Sequence, residues 1–168
     1  HVERAGAYGP DFVCFTEVAR ELGVLRDSDE RQGEPIPGPV TEALGEVARK
    51  HGTHVVLGMK ESAGDRSYNA GVLIGRDGEV QGVYHKYQPT VSEMAEGTIP
   101  GTDAPTWETD CGRVGMCICF DLKFPEVAMT LARAGARIVF FPSMFNGGMR
   151  HGAWARDYGV FLVVSQSQ

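Results

Sequence analysis

The chain has 168 residues, a formal net charge of −6 and 42% hydrophobic residues, which fits one globular domain. It lacks a basic block, which argues against nucleic-acid binding because phosphate recognition needs clustered positive charge. No apolar run is long enough to span a bilayer, so we expect no membrane partner. Four cysteines do not make a disulfide scaffold and predict a reducing compartment, here the cytoplasm.

Taken in chain order, the hydrophobic pattern predicts strands that alternate with helices, which is typical of an α/β protein. A helix end at 1–9 is followed by further helices at 40–50, 125–134 and 150–158. Strands are expected at 11–17, 53–58, 68–74, 79–85, 104–110, 112–119, 137–143 and 160–165. Polar segments at 27–39, 60–66 and 87–105 are expected to be loops or turns.

The stretch around Cys119 carries the clearest chemical signal. Val114, Met116 and Ile118 alternate with glycine and cysteine, which is the two-residue period of a strand. Pro125 then suits the first turn of a helix. A thiol between a strand end and a helix N-terminus is well placed as a nucleophile, and we expect the helix dipole and nearby N–H groups to favour its thiolate.

Glu17 and Lys86 also follow predicted strands, and α/β proteins gather their sites at the carboxyl ends of strands. A carboxylate, an ammonium and a thiol suffice for acyl transfer: the carboxylate takes the thiol proton and the ammonium stabilises an oxyanion. Plainer interpretations exist for each residue. Glu17 could begin a surface helix at 17–22, Lys86 could be solvated, and Cys119 could be a buried packing thiol.

Three segments resemble the signatures of the nitrilase (carbon–nitrogen hydrolase) superfamily: Asp11-Phe-Val-Cys-Phe-Thr-Glu17, Tyr84-His-Lys86 and Ile118-Cys-Phe-Asp-Leu-Lys-Phe-Pro-Glu126. The resemblance covers nearly the whole chain. It implies a four-layer α-β-β-α sandwich, a Glu-Lys-Cys triad in that chain order, and no metal or organic cofactor. It also implies that residues 1–168 form one domain that lacks the usual first strand and the C-terminal strands, and is therefore incomplete at both ends.

By this resemblance Cys119 matches the nucleophile, Lys86 the lysine that stabilises the oxyanion, and Glu17 the general base. Glu96 resembles the second glutamate of the family, which supports the lysine and positions the substrate, and Glu93 is its rival for that role.

The residues after each strand end suggest a substrate pocket. The backbone N–H of Phe120 is the expected second oxyanion donor, and Phe145 and Asn146 are candidates to line the pocket, although 146–148 could be only a turn. Asp121 could contact substrate or cap the following helix, with capping at least as well supported. Cys117 is expected to be a packing residue.

The predicted activity is hydrolysis of a non-peptide carbon–nitrogen bond in a small amide or N-carbamoyl compound, through a thioester on Cys119. By analogy within the family, Phe120-Asp121 after the nucleophile favours an amidase or carbamoylase over a true nitrilase. Two further classes of function are compatible with the sequence. One is a non-catalytic nitrilase-like interaction domain, and the other is a metal site built from Cys111, Cys117 and Cys119 with His85. Family analogy also predicts a homo-oligomer, such as a dimer.

Overall fold

The computed structural model describes residues 1–19 and 33–167. The described helices are α1 (Val2–Gly6), α2 (Pro39–His51), α3 (Val91–Ala95), α4 (Pro125–Arg133) and α5 (Met149–Tyr158). The strands are β1 (Phe12–Cys14), β2 (His54–Ala63), β3 (Arg66–Ile74), β4 (Val80–His85), β5 (Thr106–Thr109), β6 (Gly112–Met116), β7 (Ile138–Ser143) and β8 (Phe161–Gln166). Parts of the predicted loop at 27–39 and of the surface helix considered at 17–22 lie outside the described residues.

The strands form two four-stranded sheets, ordered β1-β2-β3-β4 and β5-β6-β7-β8. In the first sheet β1 and β2 are parallel, and β2, β3 and β4 form an antiparallel meander. In the second sheet β5 and β6 are antiparallel, and β6, β7 and β8 run parallel. The predicted α/β class is confirmed.

Two hydrophobic cores hold the layers together. One core packs helices α1 and α2 on the outer face of the first sheet, through residues such as Val2, Ala48 and Leu57. The larger core joins the inner faces of both sheets and continues beneath α4 and α5, from Leu73 to Trp154. The order of layers is therefore helix, sheet, sheet, helix, as the predicted four-layer sandwich requires.

Several predicted boundaries were wrong. The segment 60–66 is not a polar turn, because β2 continues to Ala63 and β3 begins at Arg66. The end of β2 carries polar side chains that have partners, such as Glu61, whose Oε2 lies 2.5 Å from His85 Nε2. Because these residues are polar, the hydrophobic pattern did not indicate a strand there. The segment 87–105 contains α3, which at five residues is too short to show a period. The strands predicted at 11–17 and 112–119 end early, at Cys14 and Met116.

Because β1 ends at Cys14, the residues that follow it can approach the second sheet. Thr16 Oγ1 donates a hydrogen bond of 2.5 Å to the carbonyl oxygen of Ser143, the last residue of β7. This contact fixes the segment after β1 against the end of β7 and places residue 17 between the two sheets. No helix of the described ranges is long and apolar enough to cross a membrane.

Candidate active site

Glu17 is buried between the sheets, with 3% of its surface exposed. Its Oε1 accepts a hydrogen bond of 2.7 Å from Lys86 Nζ, and its Oε2 accepts one of 3.0 Å from the backbone N–H of Met144. A buried carboxylate without partners would cost several kcal/mol, and these donors offset that cost. The interpretation in which Glu17 begins a surface helix is therefore wrong.

A glycine in β2 makes room for this glutamate. A Cβ on Gly58 would lie 2.4 Å from the Thr16 carbonyl oxygen and 2.7 Å from Cα of Glu17. Both neighbours are backbone atoms, which cannot move aside as a flexible side chain could. The absence of a side chain at residue 58 therefore lets the chain after β1 cross close to β2.

Lys86 follows β4 directly and is 1% exposed. Its Nζ lies 2.7 Å from Glu17 Oε1 and 2.9 Å from each carboxylate oxygen of Glu93. Burial disfavours the charged lysine, but the charges and hydrogen bonds of Glu17 and Glu93 outweigh it and raise the Lys86 pKa. The lysine is therefore a fixed ammonium at neutral pH, and the interpretation of Lys86 as a solvated side chain is wrong.

Glu93, and not Glu96, contacts the lysine. Glu93 is the third residue of the capping box of α3, where its Oε2 also accepts a hydrogen bond of 2.6 Å from the Thr90 N–H. Burial would raise the Glu93 pKa, but the Lys86 charge and these hydrogen bonds lower it. Glu96 caps the other end of α3 and is exposed, so the prediction that Glu96 supports the lysine is wrong. The Thr-x-x-Glu spacing of a capping box was the signal that could have found Glu93.

Cys119 begins a 3₁₀ turn, Cys119–Lys123, and adopts a left-handed backbone with φ of 49°. Its pKa is raised to about 11, first by burial and then by the negative charge of Glu17, against the opposing effects of Lys86 and the Met144 N–H. The thiol therefore keeps its proton at neutral pH, and the expected resting thiolate is wrong. The Glu17 carboxylate that acts on this thiol is a group of the type that serves as a general base for a nucleophile.

Asp121 holds the turn that carries Cys119. It is fully buried, and its Oδ2 accepts hydrogen bonds from the Ile118 N–H at 2.9 Å and from Tyr84 Oη at 2.7 Å. Its Oδ1 accepts one of 2.7 Å from the Gln88 N–H. Burial nevertheless raises the pKa of Asp121 to about 6. Asp121 therefore caps the 3₁₀ turn that begins at Cys119, and not the following helix α4, whose N-cap Phe124 has no side-chain cap hydrogen bond.

Asn69, on β3, is a site residue that sequence reasoning missed. Its Nδ2 donates hydrogen bonds to Glu17 Oε1 at 2.9 Å and to Glu93 Oε1 at 2.7 Å. The only sequence signal is a polar residue in an otherwise apolar strand segment, Tyr68-Asn-Ala-Gly-Val-Leu-Ile74.

The three predicted substrate-binding residues differ in their surroundings. Phe120 adjoins Cys119 and makes an edge contact with Phe124 at 5.4 Å between ring centroids. Phe145 is half-buried at the end of β7. Asn146 is exposed, and its Oδ1 accepts a hydrogen bond of 2.7 Å from the Gly148 N–H, which is typical of a turn rather than a pocket wall. Substrate contacts of Phe120 and Phe145 stay predictions.

The proposed thiol cluster is dispersed. Cys111 lies before β6 and Cys119 beyond its other end, while Cys117 is buried with a pKa well above its usual value, first because of burial. His85 pairs instead with Glu61. Within residues 1–19 and 33–167, no group of three or more His, Cys, Asp or Glu side chains could hold a metal ion.

Comparison with curated proteins finds amidases among the relatives. The chain is 33% identical to the chloroplastic omega-amidase of Arabidopsis thaliana, over 86% of this chain and 43% of the relative. It is also 33% identical to the deaminated glutathione amidase of Homo sapiens, over 73% of this chain and 43% of the relative. The chain thus spans less than half the length of these relatives.

Comparison with solved structures supports the same fold. A variant of the amidase from Nesterenkonia sp. AN1 superposes with a TM-score of 0.83 at 22% identity, over 98% of this chain and 68% of that one. The carbon-nitrogen hydrolase family model matches residues 1–158. This match covers most of the chain and includes Glu17, Lys86, Glu93 and Cys119. The chain therefore belongs to the carbon-nitrogen hydrolase family.

Proposed function

We propose that this protein is a thiol-dependent amidase that hydrolyses the carbon–nitrogen bond of a small amide. The observation that carries the proposal is the arrangement of Glu17, whose Oε1 is held by Lys86 while its Oε2 receives the Met144 N–H beside the Cys119 thiol. One carboxylate is thereby fixed between a buried ammonium and a protonated thiol. Such a pair of groups is suited to moving a proton from sulfur to a leaving nitrogen.

In the proposed first half-reaction Glu17 takes the Cys119 proton as sulfur attacks the amide carbon. The carbonyl oxygen becomes an oxyanion, which Lys86 Nζ and the Phe120 N–H stabilise. When the oxyanion collapses, the carbon–nitrogen bond breaks and the nitrogen takes the proton from Glu17. Ammonia or an amine leaves, and the acyl group remains as a thioester on Cys119.

In the second half-reaction Glu17 takes a proton from water, whose oxygen attacks the thioester carbon. The carbon–sulfur bond then breaks, the carboxylic acid leaves, and the proton held by Glu17 returns to the thiolate. Glu93 remains paired with Lys86 throughout and keeps the ammonium in place. The cycle consumes one water and needs no external oxidant or reductant.

The substrate class rests on support from relatives. The chain resembles an omega-amidase and a deaminated glutathione amidase, and the Nesterenkonia amidase is described with acrylamide added at its active-site cysteine. We propose amides first and N-carbamoyl compounds second, with nitriles as the competing class.

The test is ammonia release from a panel of short amides, N-carbamoyl amino acids and nitriles, with Cys119→Ala as the variant and Cys117→Ala as its matched control. We expect turnover of amides by the parent chain and by the Cys117 variant, and none by the Cys119 variant. Activity of the Cys119 variant equal to that of the parent chain would refute the mechanism, and turnover of nitriles alone would refute the proposed substrate class.

We further propose a reducing compartment such as the cytoplasm, which the four free thiols support. We also propose that the protein is a homo-oligomer. Exposed apolar side chains on β8, including Phe161 and Val163, support self-association, and sedimentation at increasing concentration tests it. A single species at monomer mass throughout would contradict it.

A further inference from the structure

One amide group joins the two glutamates of the site. Asn69 is 4% exposed, and its Nδ2 donates to Glu17 Oε1 at 2.9 Å and to Glu93 Oε1 at 2.7 Å. Both acceptor oxygens also receive hydrogen bonds from Lys86 Nζ. Asn69 and Lys86 thus bridge the same two oxygens.

The chemistry of the partners fixes the orientation of this amide. If the side chain were flipped, its Oδ1 would face two carboxylate oxygens, and three acceptors would meet without a proton between them. The observed orientation leaves Oδ1 buried without a hydrogen-bond partner among the described residues. An unsatisfied buried acceptor is destabilising, so packing alone would favour an apolar side chain of this size.

The charges around Asn69 show what the amide contributes. Two carboxylates share one ammonium, so the group carries an excess negative charge when both glutamates are ionised. A neutral N–H donor stabilises an ionised carboxylate without bringing a second charge to be neutralised. The bond to Glu17 Oε1 leaves Oε2 of the same carboxylate to accept the Met144 N–H, and the Glu17 charge acts on the Cys119 thiol.

We propose that Asn69 is a positioning residue that holds the Glu17 carboxylate in place beside the Cys119 thiol, with Glu93 as the second anchor of the amide. This inference rests on the proposed function in so far as Glu17 is the general base. It predicts that loss of the Asn69 donor lets the Glu17 carboxylate move away from the thiol, so that amide turnover and alkylation of Cys119 both become slower.

The test compares Asn69→Leu, which keeps the size but removes the donor, with Asn69→Asp, which keeps the shape and replaces the donor by an acceptor. The matched control is Thr41→Val, a buried polar residue of α2 whose hydroxyl bonds to the Gly38 backbone far from the site. For each variant we would measure kcat and KM for an amide from pH 4 to pH 9.

A second readout does not depend on turnover. The rate at which iodoacetamide alkylates Cys119 is followed over the same pH range in a Cys111→Ser background, because Cys111 is exposed and would also react. Peptide mass spectrometry assigns the label to Cys119. This readout tests Asn69 even if no amide is turned over, so failure of the proposed function and failure of this inference remain distinguishable.

We expect Asn69→Leu to lower kcat at least about tenfold, with KM changed less, and to slow the alkylation of Cys119. Asn69→Asp should lower both rates further, because its carboxylate repels those of Glu17 and Glu93. Thr41→Val should leave both rates unchanged. Unchanged alkylation of Cys119 in both Asn69 variants, with activity lost only in proportion to unfolded protein, would overturn the inference.

Discussion

Tyr84 Oη donates a hydrogen bond of 2.7 Å to Oδ2 of Asp121, and both side chains are fully buried. The contact joins β4, which ends just before Lys86, to the turn that begins with Cys119. The Tyr84 oxygen also accepts a hydrogen bond of 3.2 Å from the Tyr87 N–H. One buried pair therefore couples the position of the ammonium to the position of the thiol across the two sheets.

Tyr84→Phe should lower both stability and activity. The substitution leaves the Tyr87 N–H without its partner and removes one of the three donors to Asp121, which should cost about 1–3 kcal/mol of unfolding free energy. Urea unfolding measures this cost. Tyr158→Phe is the control, because the Tyr158 hydroxyl makes no hydrogen bond within the described part of the chain and its ring contacts Trp154. Equal stability of both variants would contradict the coupling.

Asp121 should make stability depend on pH between about 4 and 6. Its folded pKa of about 6 lies above the ordinary value near 3.8, so the folded protein holds this proton more tightly than the unfolded chain. Asp121 therefore adds about 3 kcal/mol to the unfolding free energy below about pH 4, and this contribution is lost as the pH rises through 6. The side chain in Asp121→Asn cannot titrate, so the unfolding free energy of this variant should not decrease between pH 4 and pH 6 as that of the parent chain does. Parallel pH profiles of the two proteins would refute the assignment.

Gly58→Ala should displace Glu17. The added Cβ would meet backbone atoms of Thr16 and Glu17 at 2.4 and 2.7 Å, and overpacking of this kind costs about 1–3 kcal/mol. Amide turnover should fall further than stability, because the general base moves. Gly152→Ala is the matched control, since nothing lies within 4 Å of its added Cβ on α5. If both alanine variants kept full activity, the close approach at Gly58 would not matter for the site.

The two neighbouring glutamates of α3 give a direct comparison. Glu93→Gln removes the negative charge that faces Lys86 and should lower kcat/KM by about 10²-fold. Glu96→Gln changes an exposed helix cap and should leave kcat/KM within about twofold. Steady-state kinetics of the two variants on one amide shows which substitution lowers kcat/KM more. A larger loss in the Glu96 variant would favour Glu96 as the glutamate that supports the lysine.

The sequence predicted the α/β class from its hydrophobic periods and the four layers from the family resemblance, and both lines of reasoning pointed to Glu17, Lys86 and Cys119. The two-residue period indicated β6, and Lys86 directly follows β4, whereas Glu17 and Cys119 each lie three residues beyond the ends of β1 and β6. Asn69, Tyr84 and Asp121 act through contacts between segments far apart in the chain, which no local pattern encodes. The expected Cys119 thiolate was wrong for the same reason, because burial and Glu17 raise the pKa of the thiol and both arise only in the packed structure.

The most direct test of the account is the covalent state of Cys119 during turnover. The chain is mixed with a short amide, quenched in acid at early times and digested, and the Cys119 peptide is weighed. We predict an added mass equal to the amide minus ammonia on Cys119 and not on Cys117, with ammonia release abolished by Cys119→Ala. Ammonia released at an undiminished rate by Cys119→Ala, with Cys119 unmodified in the parent chain, would contradict the account.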